Sequence, residues 1–371
     1  MPGGQQPLMK QLRNNVIRAG LGALYFSGAH HLLRPFLGGV GAIFMLHHVR
    51  PSHDGEFQPN RHLEITPEFL RATLRYLRSH EIDIISMDEV RERLIQGRFA
   101  RRFAAFTFDD GYRDYRDVAL PVLREFDAPS TSYVAAEFAE GTGELWWIAL
   151  EAVIAKVDHV NVQIDKAAVR LDTATSAAKQ AAFDRLHGWL RALPGEHDLR
   201  HEIRTLCARY DVDVTAPCRE LCLSWDELRS MADDPLVTIG AHSITHGNLA
   251  QQREEIAVQE MTGSRARIEQ ELQHPVRHFA YPYGDRGSAG EREFMLARKA
   301  GFETAVTTRP GMVFAANAEH LTALTRVSLN GKYQDTRILP VLTSGAATAM
   351  WNSFRRIARP ETLSAASATS L

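Results

Sequence analysis

Residues 103–111 read FAAFTFDDG, and this stretch decides how the rest of the chain is interpreted. A short, continuously apolar run is typical of a strand that is buried on both faces, as in a parallel sheet covered by helices. Two adjacent carboxylates, Asp109 and Asp110, follow the run directly and precede Gly111. Folds of this class place their reactive groups where the parallel strands end. The stretch therefore predicts a buried strand that delivers two acids to a functional site.

Strands and helices alternate along most of the chain. Apolar runs of strand length are separated by segments with helical periodicity and capping residues, such as Thr66 before Pro67 and Ser86 before Met87. This alternation favours an α/β fold with a parallel sheet, and about seven βα units fit one distorted barrel. The predicted strands lie at 41–49, 82–85, 103–108, 130–134, 237–241, 278–281, 304–307 and 326–329, and the predicted helices at 66–80, 87–96, 120–126, 253–272 and 291–300.

The alternation is interrupted between 141 and 234, where the sequence becomes rich in Ala, Arg and Leu and helical in character. An inserted, mostly helical subdomain is the simplest account, and it leaves 41–140 and 235–335 as the predicted barrel. The segment 344–371 is rich in Ala, Ser and Thr apart from a basic amphipathic turn over 350–359. We expect this segment to be a partly disordered tail.

The overall charge gives no reason to expect nucleic acid as a partner. The 371 residues include 43 basic and 45 acidic side chains, for a formal net charge of −2. The three cysteines are an odd number, which excludes a complete disulfide framework and fits a reducing compartment. We therefore expect a cytoplasmic protein, with Cys207, Cys218 and Cys222 as small buried side chains.

The first fifty residues carry five cations and no acid, and residues 1–40 form a basic amphipathic segment. Arg and His interrupt the apolar stretch 16–46, so neither a transmembrane helix nor a cleavable signal peptide is predicted. Two alternatives remain for the segment: a peripheral contact with the anionic inner face of the membrane, or a helix packed on the barrel. The five cations are Lys10, Arg13, Arg18, Arg34 and Arg50.

A second group of candidate ligands follows another predicted strand, where residues 241–246 read AHSITH. His242 and His246 are four residues apart, so both imidazoles can converge on one cation. With Asp110 they form a set of two histidines and one carboxylate, which suits Zn²⁺ but also Fe²⁺, Co²⁺ or Ni²⁺. One aspartate of the adjacent pair would then bind a divalent metal, most simply Zn²⁺, while Asp109 is left to act on a substrate.

These motifs give the chain a family resemblance. TFDDG at 107–111, HSITH at 242–246 and FAYPYG at 279–284 resemble, in order, the three motifs of the NodB-type polysaccharide deacetylases of carbohydrate esterase family 4. The resemblance covers about residues 40–330 without the insert. It implies an α/β fold with a distorted (β/α)7 barrel, a divalent metal and an N-acetylated glycan substrate. The implied reaction is hydrolysis of N-acetyl groups from amino sugars in a polysaccharide or a lipid-linked glycan.

The resemblance also implies roles for single residues. Asp109 corresponds to the general base of the family, and Asp110, His242 and His246 correspond to its metal ligands. The main-chain N–H of Tyr283 is expected to help hold the oxyanion of the reaction.

The chain departs from the family at the arginine that orients the base. Many members carry this arginine where Ala280 stands here. Arg326, which opens the late predicted strand, or Arg277 can substitute for it, because a guanidinium clamps a carboxylate in a bidentate fork and keeps it ionised. Of the two, Arg326 is the expected base-orienting residue, since Arg277 reads as a surface arginine.

A second departure concerns the general acid. The usual late Leu-x-His motif of the family is absent. Exopolysaccharide deacetylases of the poly-N-acetylglucosamine type use a histidine at the end of an early strand instead, and MLHH at 45–48 is similar to that pattern. We therefore expect His47 to be the acid, with His48 and His320 as alternatives.

The start of the insert carries two adjacent tryptophans, Trp146 and Trp147. Trp147 is a candidate for stacking on a sugar, although both rings could instead anchor the insert to the barrel. Two other functions remain possible: hydrolysis of a non-sugar amide at the same metal site, and a catalytically silent glycan-binding module. The complete set of ligands and the additional base argue against the silent module.

Overall fold

The computed structural model of the chain describes residues 5–358. Its strands are β1 (Gly41–Leu46), β2 (His48–Val49), β3 (Glu64–Ile65), β4 (Asp83–Ile84), β5 (Phe103–Phe108), β6 (Ser130–Val134), β7 (His159–Ile164), β8 (Ala167–Asp172), β9 (Val237–Ala241), β10 (His278–Ala280), β11 (Thr304–Pro310) and β12 (Leu324–Ser328). Its helices are α1 (Gln5–Phe26), α2 (Ala29–Leu37), α3 (Pro67–Ser79), α4 (Met87–Gln96), α5 (Leu120–Arg124), α6 (Ala136–Ala139), α7 (Trp146–Lys156), α8 (Ser176–Ala192), α9 (Glu196–Arg209), α10 (Ala216–Leu221), α11 (Trp225–Arg229), α12 (Glu254–Leu272), α13 (Glu291–Lys299), α14 (Ile338–Thr343) and α15 (Ala346–Ala358).

Seven parallel strands close into a barrel in the order β1-β12-β11-β10-β9-β6-β5. Pairing of residues 41–46 with 103–108 joins β1 to β5 and completes the ring. The short strand β4 pairs with the first two residues of β5, and β6 pairs with 106–108, so the barrel is distorted at this position. The predicted α/β fold with a distorted (β/α)7 barrel is confirmed.

Side chains alternate between the inside and the outside of the barrel, as they do in any strand. Phe103 and Ala105 of β5 lie in one buried cluster with Ile43, Val306 and Leu324 of other strands. Continuing with this period of two, Thr107 and then Asp109 reach the carboxyl end of the barrel, and Arg326 follows Leu324 in the same way on β12. The lower barrel is therefore apolar, while its upper end is polar.

The helices outside the barrel begin where the sequence predicts. The Thr66 hydroxyl accepts a hydrogen bond from the Phe69 N–H at 3.2 Å, and the Ser86 hydroxyl accepts one from the Glu89 N–H at 3.2 Å. These side chains satisfy amide groups that have no partner within the first turn of a helix. The strand predicted over 41–49 differs, because residues 48–49 leave the barrel and pair with β3.

The insert is mostly helical, as predicted, and its core side chains form a hydrophobic cluster that also includes Tyr112, Ala135 and Phe138 from the barrel segments. Trp146 of α7, Phe183 and Leu186 of α8, and Ile203 of α9 lie in this cluster. All three cysteines are buried and form no disulfide. The sequence analysis missed the antiparallel hairpin of β7 and β8, which lies between α7 and α8.

The N-terminal segment forms two helices, and one face of α1 packs on the end of the chain. Ile17 and Leu21 are buried in a cluster with Val341 of α14 and with Ala346 and Ala347 of α15. Helix α15 begins at Ala346, before the turn predicted over 350–359, and its buried residues Ala346 and Ala347 show that this part of the predicted tail is ordered. The part of the predicted tail beyond 358 lies outside the described residues.

Other apolar side chains of the same segment face the solvent. Phe26, Leu32 and Phe36 are 74%, 78% and 79% exposed. One face of α1 is therefore packed on the protein, as the alternative of a packed N-terminal helix expects. Contact of the N-terminal segment with a membrane surface stays a prediction. Within residues 5–358, no helix has the length and apolar character needed to cross a membrane.

The closing strand pair leaves no space for a side chain at Gly41. A methyl group added there would lie 2.5 Å from ring carbons of Phe103 on β5. We expect Gly41→Ala to lower the free energy of unfolding by about 1 to 3 kcal/mol, because overpacking displaces the strand or the ring. Urea denaturation followed by circular dichroism measures the change.

Gly22 in α1 provides the matched control, because a methyl group added there would meet no heavy atom within 4 Å. Gly22→Ala should leave stability unchanged or raise it by about 0.5 to 1 kcal/mol, since alanine is the better helix former. Equal stabilities of Gly41→Ala and the parent protein would contradict the tight β1–β5 contact.

Candidate active site

Two segments that follow barrel strands meet at the carboxyl end of the barrel. Asp110 follows β5, while His242 and His246 follow β9. The Asp110 Oδ1 atom lies 3.4 Å from His242 Nε2 and 3.2 Å from His246 Nε2. One ligand atom from each residue lies within 4.8 Å of the other two, and all three side chains are buried. The structure thus brings the three predicted metal ligands together.

The donor set fits a divalent metal. Asp110 Oδ1 and His246 Nδ1 are buried and have no hydrogen-bond partner among the described residues. The Nδ1–H group of His242 donates a hydrogen bond to the Ala280 carbonyl at 2.7 Å, which directs Nε2 towards Asp110. A buried carboxylate oxygen without a partner is costly, and a cation between it and the two imidazoles removes that cost.

The backbone at these motifs is strained. Asp110, Ser243, His246 and Tyr283 have φ values of 71°, 65°, 60° and 60°, in the left-handed region that side chains rarely adopt. Such conformations persist where the surrounding structure enforces them, and they are concentrated at functional sites. The three motifs therefore owe their shape to the contacts that hold them.

Glu260 of α12 supplies one of these contacts, and the sequence analysis missed it. Its carboxylate accepts hydrogen bonds from the N–H groups of Ile244 and Thr245, both at 2.9 Å, and from the Thr245 hydroxyl at 3.0 Å. Glu260 thereby fixes the loop between the two histidine ligands. Helical spacing could have revealed it, because Glu260 shares a buried stripe with Ala257 and Ser264.

Asp109 is held by Arg326 inside the barrel. The guanidinium donates two hydrogen bonds to the carboxylate, at 2.7 Å to Oδ1 and 2.6 Å to Oδ2. It also donates to the Thr307 carbonyl and the Thr107 hydroxyl at 2.8 and 3.1 Å. Burial by itself would raise the pKa of Asp109, but the charge and hydrogen bonds of Arg326 outweigh it and hold the pKa below its ordinary value.

The two arginines considered as substitutes for the missing family arginine lie at opposite ends of the barrel. Arg326 is 1% exposed and meets Asp109, as expected from the sequence. Arg277 precedes β10, at the amino end of the strands, and pairs with Asp88 at 3.4 Å. Arg277 therefore cannot orient the base. Ala280, which stands at the position of the family arginine, is buried in the barrel core.

His47 lies next to the same carboxylate. Its Nε2 atom is 4.0 Å from Asp109 Oδ2, and its side chain is 19% exposed, which leaves it accessible from outside the barrel. Burial lowers the pKa of His47, although the Asp110 and Asp109 charges oppose this shift. The structure brings His47 to the candidate site, and its role as acid stays a prediction.

The two alternative acids lie elsewhere. His48 is buried, donates a hydrogen bond from Nδ1 to Asp114 at 2.6 Å, and stacks on Tyr112 with ring centroids 3.6 Å apart. His320 is exposed and comes shortly before β12, at the amino end of the barrel. Their positions exclude both residues as the general acid. His48 is buried in contact with Tyr112 and Asp114, and His320 lies at the end of the barrel opposite Asp109.

The predicted oxyanion donor is available. Within the described part of the chain, the main-chain N–H of Tyr283 donates no hydrogen bond. The Tyr283 side chain is fixed from the insert, because Trp146 Nε1 donates to its hydroxyl at 2.8 Å and the Arg191 guanidinium lies 3.9 Å from its ring centroid. Trp146 and Arg191 therefore position the Tyr283 ring, and the sequence analysis foresaw an anchoring part for Trp146 but none for Arg191.

Trp147 does not have the exposure that sugar stacking needs. Its side chain is 6% exposed. The centroid of its ring lies 5.2 Å from that of the His246 ring and 6.5 Å from that of the Phe138 ring. The Trp147 ring therefore packs against the candidate metal ligand His246. The prediction that Trp147 stacks on a sugar is corrected, because the ring is buried in the protein. The anchoring alternative considered for the two tryptophans fits this placement.

The site brings four kinds of functional group together within one buried region. Two imidazoles and a carboxylate can hold a divalent cation with positions left open for water and substrate. A second carboxylate, kept ionised by an arginine, can accept a proton, and a histidine beside it can exchange one. A free main-chain N–H can stabilise a developing negative charge on oxygen. This combination is suited to the hydrolysis of the bond between an acyl group and the atom that carries it.

Solved structures of other proteins share the fold of this chain. Among solved structures, the chain is similar to the Streptococcus pyogenes deacetylase PplD in complex with acetate, at 18% identity and a TM-score of 0.52 over 78% of this chain and 92% of that one. It is also similar to IcaB from Ammonifex degensii, at 15% identity and a TM-score of 0.51 over 83% and 98% of the two chains.

These identities are low enough that the likeness concerns the fold alone, and no curated protein matches the chain. A family model described as polysaccharide deacetylase matches residues 96–305, which is more than half of the chain. The matched segment includes the Asp-Asp-Gly, the His-x-x-x-His and the Tyr-Pro-Tyr-Gly motifs. The chain therefore belongs to the polysaccharide deacetylase family.

Proposed function

We propose that this deacetylase depends on a divalent metal and hydrolyses the N-acetyl groups of amino sugars in a glycan. One observation carries the proposal: a convergent set of two histidines and one aspartate lies beside a second aspartate that an arginine holds in a bidentate pair. A site for hydrolysis of an amide needs both a means to activate water and a base that remains ionised.

Asp110, His242 and His246 would hold the metal. Their combination of nitrogen and oxygen donors favours Zn²⁺, with Co²⁺, Ni²⁺ and Fe²⁺ as alternatives. When bound, a divalent ion in such a set polarises a carbonyl oxygen and lowers the pKa of a water molecule.

Asp109 is the proposed general base. Arg326 keeps the carboxylate ionised and fixes its orientation without using all of its lone pairs, because each carboxylate oxygen can accept more than one hydrogen bond. A water molecule beside Asp109 can therefore give up its proton to a free lone pair as its oxygen attacks the amide carbon.

His47 and Tyr283 complete the reaction. The Tyr283 N–H stabilises the negative charge that develops on the carbonyl oxygen, a contribution of about 3 to 4 kcal/mol for a well-placed donor. His47 delivers a proton to the amide nitrogen, because an amine leaves only when it is protonated. The carbon–nitrogen bond breaks, and acetate and the free amine of the sugar are released.

The metal assignment makes a prediction about binding. We expect His242→Ala and Asp110→Ala to retain less than about a tenth of the zinc bound by the parent protein, because two remaining ligands hold the ion poorly. Elemental analysis after dialysis against zinc measures the occupancy. His274→Ala, at a histidine outside the site, is the control and should keep full occupancy. Full zinc content in either ligand variant would remove that residue from the set.

The base assignment makes a prediction about turnover. The zinc-loaded parent protein should release acetate from oligomers of N-acetylglucosamine, and Asp109→Asn should lower this rate by about 10² to 10⁴-fold. The variant should keep its zinc, which distinguishes loss of the base from loss of the metal. Enzymatic measurement of acetate gives the rates.

A panel of ureides and other non-sugar amides tested beside the oligomers separates the two candidate substrate classes. Faster hydrolysis of a ureide than of every acetylated sugar would favour the non-sugar amide function. Absence of turnover by the zinc-loaded parent protein on all substrates would favour the silent glycan-binding module.

The acid assignment makes a prediction about leaving groups. His47→Ala should lower amide hydrolysis by about 10² to 10⁴-fold but slow hydrolysis of an aryl acetate far less, because a phenolate leaves without protonation. Comparison of the two rates in parent and variant isolates the acid. His320→Ala serves as the control and should leave both rates unchanged. Equal losses on both substrates in His47→Ala would instead assign His47 a structural part.

A further inference from the structure

A cavity of about 360 Å³ begins beside His47 and Arg326 and continues away from the barrel. Its wall comes from the ends of β1 and β12 and from the helices α1, α14 and α15. This volume lies within the range of small-molecule binding sites, and an apolar lining with a few polar groups is typical of them. Apolar side chains from the strand ends and from the helices line it, among them Leu21, Met45, Val327, Leu342, Ala347 and Trp351.

The release of an acetyl group does not require this cavity. A water molecule occupies about 30 Å³ in the liquid, and the methyl group of acetate is of similar size, so the cavity is far larger than that group. Apart from Asp285, its lining also lies outside residues 96–305, which the family model matches. The helices α1, α14 and α15 therefore close one side of the cavity, and the ends of barrel strands beside the candidate active site form the other side.

The direction of the cavity indicates what it would hold, provided that the proposed function is correct. In that mechanism His47 protonates the nitrogen, and this nitrogen belongs to the sugar. The part of the substrate that continues past His47 is therefore the sugar with its substituents, and not the acyl group.

We propose that the cavity binds the hydrocarbon chain of an amphiphilic substrate, namely an N-acetylated amino sugar that carries a lipid as its aglycone. The apolar wall gives such a chain a surface to bury, while the sugar remains at the metal site.

The surface at the far end of the cavity fits this substrate class. A second pocket shares Leu21, Lys332 and Tyr333 with the cavity and carries Arg18, Arg61 and Arg337 against a single acid, Asp335. The exposed ring of Phe26 lines the same pocket. A cationic surface with an exposed aromatic side chain complements the anionic, partly apolar surface of a bilayer, from which a lipid-linked sugar would enter.

The test compares methyl and octyl 2-acetamido-2-deoxy-β-glucosides, the latter below its micelle concentration, with the zinc-loaded full chain. Each buried methylene contributes up to about fourfold in binding, so we expect kcat/KM to be at least tenfold higher for the octyl compound. Ala347→Phe, which places a ring in the cavity, should reduce this ratio to below threefold. Ala208→Leu, at an exposed position of α9 that does not line the cavity, should keep the tenfold preference.

A second measurement needs no variant. Octyl β-glucoside has no amide, and it should inhibit hydrolysis of the methyl compound competitively in the parent protein, whereas methyl β-glucoside should not. Equal kcat/KM values for the two acetamido substrates, together with no inhibition by octyl β-glucoside, would overturn the proposal. A preference for an N-octanoyl over an N-acetyl sugar, without a preference for the octyl aglycone, would overturn it as well by assigning the cavity to the acyl chain.

Failure of the proposed function would be visible separately as the absence of turnover on every acetamido sugar. Titration calorimetry with octyl β-glucoside would then decide about the cavity itself. Binding to the parent protein that is lost in Ala347→Phe would support a hydrocarbon site, and absence of binding to the parent protein would overturn it.

Discussion

The ion pair of Asp109 with Arg326 is the interaction on which the architecture of the site depends. Both side chains are almost completely buried, and a buried charge without a partner would destabilise the protein by several kcal/mol. The bidentate geometry and the additional hydrogen bonds to Thr307 and Thr107 satisfy the guanidinium. Because Arg326 belongs to the last barrel strand and Asp109 follows β5, the pair also spans the strand between them, β1. The same contact therefore holds the candidate base in place and helps to close the barrel.

A second constraint comes from the strained backbone that presents the candidate metal ligands. Asp110 and His246 can occupy their left-handed conformations only because neighbouring groups hold the loops, among them the Glu260 carboxylate beneath residues 244–245. The insert contributes from the other side, where Trp146 and Arg191 fix the Tyr283 ring. Rigidity of this kind places the donors before a substrate arrives, which is the main source of electrostatic stabilisation in enzymes.

Sequence analysis could predict what depends on local pattern. Strand runs, helix caps such as Thr66, and the motifs that carry the candidate metal ligands are all encoded within a few residues. The sequence alone left both Arg326 and Arg277 as candidates to orient Asp109. The choice between them depends on which end of a strand each arginine occupies and on the face of the sheet to which its side chain points. The packing role of Trp147 and the anchoring of a loop by Glu260 required the tertiary structure. The strands β7 and β8 alternate in burial, but the sequence analysis missed their hairpin because the segments on both sides of it are helical.

The circular order of the barrel has a consequence for the size of the autonomous folding unit. The segment by which the family is recognised starts after β1 and ends shortly after the beginning of β11, so it contains neither of the strands that join β5 to β11. A fragment cut to those limits would expose two unpaired strand edges, which are templates for aggregation, and would lack both His47 and Arg326. The shortest stable form of this enzyme must therefore extend at least from Gly41 to Ser328, well beyond the segment that the family model matches.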